Sequence, residues 1–149
     1  SSAGRVIQVK RSLRASQITT TSGSMSDVTS LSFTPKSSSS VIHCEFTGIA
    51  YVQQEPGGLR IDFYDGTNNN RFGTSLSSDR PLVYRFDMHN VSNGGIYAYA
   101  GITWRAQEAS WGTSARSIYV QMAQASNGTV GFITEYLPAT FTITEVMES

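Results

Sequence analysis

Apolar and polar residues alternate along most of this chain with a period of two, the signature of half-buried strands rather than helices. Between positions 40 and 50, Ile42, Cys44 and Phe46 share one face, with His43, Glu45 and Thr47 opposite. In 58–65, Leu59, Ile61 and Phe63 fall inward, and Arg60, Asp62 and Tyr64 outward. In 82–89, Leu82, Tyr84, Phe86 and Met88 oppose Val83, Arg85, Asp87 and His89. In 95–105, Ile96, Ala98, Ala100, Ile102 and Trp104 oppose Tyr97, Tyr99, Gly101, Thr103 and Arg105. In 116–122, Arg116, Ile118, Val120 and Met122 oppose Ser117, Tyr119 and Gln121. Val130, Phe132 and Tyr136, then Phe141, Ile143 and Val146, mark two late strands, and 5–10 and 28–34 two early ones.

Turn-forming residues lie between these runs: Pro56-Gly57-Gly58, Asp65-Gly66, Asn68-Asn69-Asn70, Asn93-Gly94-Gly95 and Asn127-Gly128. Asn127-Gly128 is the strongest hairpin signal, a primed-turn pair between two alternating runs. The segments 19–30 and Ser37 to Ser40 are rich in hydroxyls that compete with backbone pairing, and read as loops or edge strands. One short helical turn is allowed around Gln107-Glu108-Ala109. The predicted fold is a single all-β domain over 1–149 with essentially no helix. Its eight or nine strands form an antiparallel β-sandwich, and residues 1–14 an extended basic arm or an edge strand. Pattern alone leaves jelly roll, immunoglobulin-like sandwich and small barrel open; strand number and length favour the jelly roll.

Composition narrows the functional classes. The formal net charge is zero and only 15% of the 149 residues are charged, below the usual ~25%. Neither nucleic acid nor a membrane surface is called for. Ser and Thr supply the polar surface, which suits close packing against neighbours because little charge must be desolvated. The single cysteine, Cys44, excludes an intrachain disulfide and reads as a small buried hydrophobe. No apolar run approaches the ~18 residues of a membrane span. No secretory signal opens the chain, and Ser1-Ser2-Ala3-Gly4 fits a complete, cytosolically made protein that has lost its initiator Met.

Candidate chemistry is sparse, and the expectation is no catalytic residue, no metal site, no cofactor and no enzyme. His43 and Cys44 are strand neighbours on opposite faces and cannot form a dyad; His89 stands apart. Two histidines and one cysteine give no zinc spacing. The oxygen-rich run Asp62 to Asn70 has ligands for calcium but not the order of an EF-hand, and a polar hairpin loop is the simpler reading. The carboxylates Asp62, Asp65, Glu108 and Glu135 offer no defensible glycosidase pair. The sequons Asn90-Val91-Ser92 and Asn127-Gly128-Thr129 are read as chance.

The surface residues singled out are candidate protein contacts. Arg5, Lys10, Arg11 and Arg14 precede the first acid, Asp27, and suit docking on an acidic neighbour or a charged strand edge. Tyr97, Tyr99 and Tyr119 lie opposite the apolar faces of their strands, and Trp111 lies in a loop-like stretch; such aromatics favour interface centres. The interface set is therefore Arg5, Lys10, Arg11, Tyr97, Tyr99, Trp111 and Tyr119.

Gly4-Arg5-Val6-Ile7-Gln8-Val9, Thr19-Thr20-Thr21-Ser22, Asp27 to Pro35 and Lys36 to Ile42, with the closing Thr140-Phe141-Thr142-Ile143-Thr144-Glu145, resemble in that order a virion-surface module of tailed bacteriophages. The resemblance covers about 4–52 and 139–146; members often carry Lys where Val41 stands, and 53–138 matches nothing in it. It implies a β-sandwich, a place on the particle surface after synthesis in a bacterial cytoplasm, and no catalytic residues. The expected function is a capsid cement or decoration protein, a homotrimer contacting its own copies and a major capsid protein or other virion subunits. The alternative is a tail-fibre or tail-spike domain that recognises a host glycan or protein.

Overall fold

The computed structural model describes residues 4–53, 57–72, 82–86, 97–108, 111–125, 128–135 and 137–147. These residues hold eleven strands and no helix: β1 (Arg5–Arg14), β2 (Ile18–Thr20), β3 (Ser26–Phe33), β4 (Val41–Gln53), β5 (Gly57–Asp65), β6 (Asn70–Phe72), β7 (Leu82–Phe86), β8 (Tyr97–Glu108), β9 (Arg116–Gln124), β10 (Val130–Ile133) and β11 (Ala139–Met147).

The register shows that three pairs of these are single strands broken in the middle. Along β4, residues 49–52 pair with β10 and 41–47 with β11 on the same edge. β2 and β1 then follow β10 and β11 in the same way. β7 and β6 similarly share the edge of β5. Among the described residues the result is two sheets, each four strand positions wide. The first runs β8, β4, β10–β11, β1–β2; the second runs β3, β9, β5, β6–β7. Every pair is antiparallel. The chain changes sheet at every connection between strand positions except β5 to β6. This is the connectivity of a jelly roll, and the all-β sandwich expected from the alternation stands.

The alternation also named the right inner faces, although Asp62, expected to point outward into solvent, is fully buried. Ile42, Cys44 and Phe46 of β4, Leu59, Ile61 and Phe63 of β5, Ile118, Val120 and Met122 of β9, and Phe141 and Ile143 of β11 are all buried. Phe63 stacks on Phe141 across the two layers at 5.7 Å, and Phe46 meets Phe132 edge-on at 5.0 Å. At one end of the sandwich Trp111 packs edge-on against Phe33 and Phe72. The Phe63–Phe141 stack joins the two layers, while the Phe46–Phe132 pair packs within the first sheet and Trp111 caps the second, all by apolar burial and aromatic geometry.

Two expectations are corrected. Gln107 and Glu108 belong to β8, not to a helical turn; their alternation continues that of 97–105, and β4 supplies partners for both. Asn127-Gly128 does not close a hairpin. Gly128 has the positive φ of 71° that such a turn uses, but β9 pairs with β3 and β5 while β10 pairs with β4 and β2. β9 and β10 therefore lie in different sheets, and Asn127 itself lies outside the described residues. Tyr84 and the other side chains of 82–86, together with Asp87, Met88, His89 and Asn93-Gly94-Gly95, lie outside the described residues.

The seam between the edge strands β1 and β3 is closed by side chains rather than by a backbone ladder. Gln8 Nε2 donates to Thr34 O at 3.0 Å, Lys10 Nζ to Ser32 O at 2.7 Å, and Arg14 to Val28 O at 3.0 Å, with Ser12 and Thr29 hydroxyls 3.1 Å apart. Carbonyls that an edge strand would leave to water or to another chain are thereby taken.

Candidate functional site

Alternation along β4 and its partners fixes what the first sheet shows to the outside. Pairing aligns Thr144, His43 and Gln107 in one row, and Arg11, Thr142, Glu45 and Arg105 in the next. Leu13, Thr140, Thr47 and Thr103 form a third, Ile133, Ile49 and Gly101 a fourth, and Gly131, Tyr51 and Tyr99 a fifth. Beyond the first row stand Val6, Val146 and Val41, so the face is polar around His43 and Glu45 and apolar and aromatic toward Tyr99.

The polar end holds a depression of about 510 Å³ bordered by His43, Glu45, Arg105, Gln107, Thr142 and Thr144. Within it Arg105 Nε donates to Glu45 Oε2 at 2.6 Å, although 73% and 43% of the two side chains remain exposed, so the pair adds little stability. Thr47 and Thr103 hydroxyls lie 3.2 Å apart. Among the described residues, the side chains of His43, Gln107, Thr142 and Thr144 have no hydrogen-bond partner. The apolar end holds a second depression of about 400 Å³ lined by Ile49, Tyr99, Ile133 and Glu135. Tyr99 is 55% exposed, and its ring leans on Tyr51 at 5.6 Å. Gly101 pairs with Ile49 at the second depression, and a Cβ added there would meet no atom within 4 Å.

The structure spreads the interface candidates over several surfaces. Arg5, Lys10 and Arg11 are exposed on β1, but Lys10 spends its ammonium on Ser32. Tyr99 faces out of the first sheet. Tyr119 lies on the outer face of the second, half-buried beside Tyr64 at 6.3 Å, and its ring covers Gly66 so closely that a Cβ there would approach within 2.6 Å. Trp111 is only 8% exposed and is a core residue; Arg116 lies over its ring at 5.2 Å. The backbone of Tyr97 continues β8, and its side chain is outside the described residues.

Val6, Val9 and Leu13, exposed by 56%, 52% and 61%, were not singled out from the sequence. Their signal was present, since with Ile7 they make four apolar residues among four basic ones in a segment with no clean alternation.

The remaining candidate chemistry resolves into structure. Asp65 accepts from Thr67 N and Asn68 N, and its other oxygen from Asn68 Nδ2 and Arg116. It shapes the loop that reverses β5 into β6, where Asn69 takes a φ of 53°. Among the described residues no three His, Cys, Asp or Glu side chains group closely enough to hold a metal ion. Asp62 and Asp65 occupy opposite faces of β5. Burial pushes the Glu108 carboxyl up, and Arg116 draws it partly back. Burial, with Glu108 nearby, also pushes the Cys44 thiol far above its usual range, which removes the thiolate a nucleophile needs.

Glu145 is the polar residue the sequence reading undervalued. It is fully buried, yet accepts from Gln8 Nε2, Lys36 N, Ser37 N and Ser40 Oγ at 2.6–3.0 Å. Burial would raise its pKa, but the bonds from Ser40, Lys36, Gln8 and Ser37 outweigh that and hold the carboxyl below its ordinary 4.5.

No family model matches the chain, and no curated protein matches its sequence. Among solved structures, the subviral particle of infectious bursal disease virus VP2 is similar with a TM-score of 0.47 at 10% identity, over 95% of this chain and 37% of that one. A structure of the Gx strain of the same virus is similar with a TM-score of 0.23 at 10% identity, over 97% of this chain and 38% of that one. The chain thus spans less than two fifths of the proteins it resembles, and likenesses this loose leave fold and function to be argued from the chain itself.

Proposed function

We propose that this protein is a structural component of a virion surface, and specifically a capsid cement or decoration protein of a tailed bacteriophage that works by protein–protein contact. The observation that carries the reading is β1. This edge strand shows Val6, Val9 and Leu13 to solvent beside Arg5 and Arg11, the mix of apolar contact and arginine that interface centres favour. The phage-module resemblance begins in the same strand. The low-charge, hydroxyl-rich surface lets neighbours pack without large desolvation costs. Contact with its own copies as a homotrimer, and of Arg5 and Arg11 with acidic groups on a capsid subunit, would staple the shell through buried area, about 1,600 Å² for a standard interface.

Light scattering on the purified protein tests the assembly: three times the 16.2 kDa chain mass is expected, and a monomer at all concentrations would count against it. Imaging of particles then separates cement, present in hundreds of copies, from a tail-fibre tip. The fibre-tip reading has its own support in the depressions on the first sheet, since a receptor-binding domain needs a concave surface of mixed polarity.

A further inference from the structure

We infer that the outer face of the first sheet is a binding groove for a neutral oligosaccharide, running along β4 and β8 from His43 to Tyr99. The inference holds wherever on a particle the protein sits, and so goes beyond the proposed function.

Three observations point to a sugar. The first is unspent hydrogen-bonding capacity: His43, Gln107, Thr142 and Thr144 converge on one depression without side-chain partners among the described residues. An imidazole, a primary amide and two hydroxyls both donate and accept, as sugar hydroxyls do. The second is an aromatic platform at the other end. Tyr99 is 55% exposed, held by Tyr51 at 5.6 Å and flanked by Ile49 and Ile133. A rigid amphipathic ring offers an apolar face to the C–H side of a pyranose and a hydroxyl to its rim. The third is charge. Among the described residues, the charged ones placed on this face are Arg11, Arg105, Glu45 and Glu135, two of each sign, with Arg105 and Glu45 already paired. A face balanced in this way favours a neutral ligand over an anionic one.

The spacing suits a short chain of sugars. Glu45 and Ile49 are four residues apart on β4, ~13 Å along a strand, so the two depressions together accept several units rather than one. Gly101, paired with Ile49, leaves bare backbone beside the second depression, and the Thr47 and Thr103 hydroxyls line the stretch between the two.

The same glycine supplies the test. A Cβ at 101 meets no atom within 4 Å and the backbone there carries no positive φ, so Gly101→Leu projects a side chain into the groove beside Ile49 without disturbing the fold. The full chain, labelled with ¹⁵N, is titrated with neutral oligosaccharides of hexose and N-acetylhexosamine units, and with their sulfated or sialylated counterparts. At least one neutral oligosaccharide is expected to bind and to shift the amides of 43–51 and 99–107. Gly101→Leu and Tyr99→Ala are expected to weaken it about tenfold or more, with Tyr99→Phe restoring most of the affinity and no variant losing thermal stability. Three results would overturn the inference: no binding of any oligosaccharide at about 10 mM, well past the range of weak affinities; binding confined to the acidic ones; or binding that Gly101→Leu leaves intact. A protein found on particles that binds no sugar would retain its proposed function and lose this one.

Discussion

Glu145 shows what one residue decides in this fold. Its carboxylate holds the backbone N–H groups of Lys36 and Ser37 and the hydroxyl of Ser40, and so anchors the connection between β3 and β4 to the last strand. Glu145→Ala would leave those buried donors unanswered and is expected to cost about 2–4 kcal/mol in urea unfolding at pH 7. The pH dependence has a definite sign. The folded pKa lies below the ordinary 4.5, so the contribution is complete above 4.5 and is lost as pH falls through the depressed value. The gap between wild type and Glu145→Gln should therefore narrow between pH 5 and pH 3; a gap that held constant would contradict the assignment. The residue was half legible in the sequence. It follows Phe141 and Ile143 in phase, but the strand's end was marked by Val146 instead, and the partners that make burial tolerable come from Gln8 and from 36–40, which no local pattern announces. Asp65 illustrates the same limit: its place in a turn was readable, its bond to Arg116 was not.

At the scale of elements, alternation located the strands and their inner faces because a period of two follows from the pleat of a single strand. Pairing does not follow from it. Asn127-Gly128 has hairpin chemistry, yet the strands it joins lie in different sheets, since a turn sets local chain direction and the burial of Val130 and Phe132 against β4 sets the partner. The broken strands were illegible for a related reason: β10 and β11 read as two elements and act as one. Close approach between elements is tested at Gly131, where a Cβ would sit 2.0 Å from Ile18 O and 2.7 Å from the Thr19 Cα. These are backbone atoms that cannot turn aside, so Gly131→Ala must push β2 off β10. A loss of about 2–3 kcal/mol is expected, with faster hydrogen exchange confined to 18–20 and 130–133. The seam behaves differently. Lys10 and Arg14 are replaceable one at a time at about 1 kcal/mol or less, because each bond is exposed in part. Replacing both by Ala should loosen β3 and speed exchange of its amides while β5 and β9 stay protected.

For the whole molecule, the question is which surface meets another copy. The interface set drawn from the sequence divided between a core residue, Trp111, a groove wall, Tyr99, and the edge strand, because alternation tells which side of a strand a residue takes but not what neighbouring elements cover it. The exposed residues of β1 are the part of that set left with a partner to find. Val9 and Leu13 stand on the outer face beside Thr144 and Thr140, each more than half exposed, and burying them against copies is what would make the assembly favourable at ~25 cal/mol per Å² of apolar area. Leu13→Asp places a charge in that contact, which desolvation penalises in the trimer and not in the free chain. The expected result is a 16.2 kDa monomer by light scattering whose unfolding midpoint in urea matches that of wild type diluted to monomer, since an exposed substitution changes chain stability by only about 0.5 kcal/mol. Tyr99→Ala, on the groove, should leave the mass unchanged. A trimer that persisted in Leu13→Asp and dissociated in Tyr99→Ala would exchange the two surfaces, putting copies in the groove and leaving β1 for the particle.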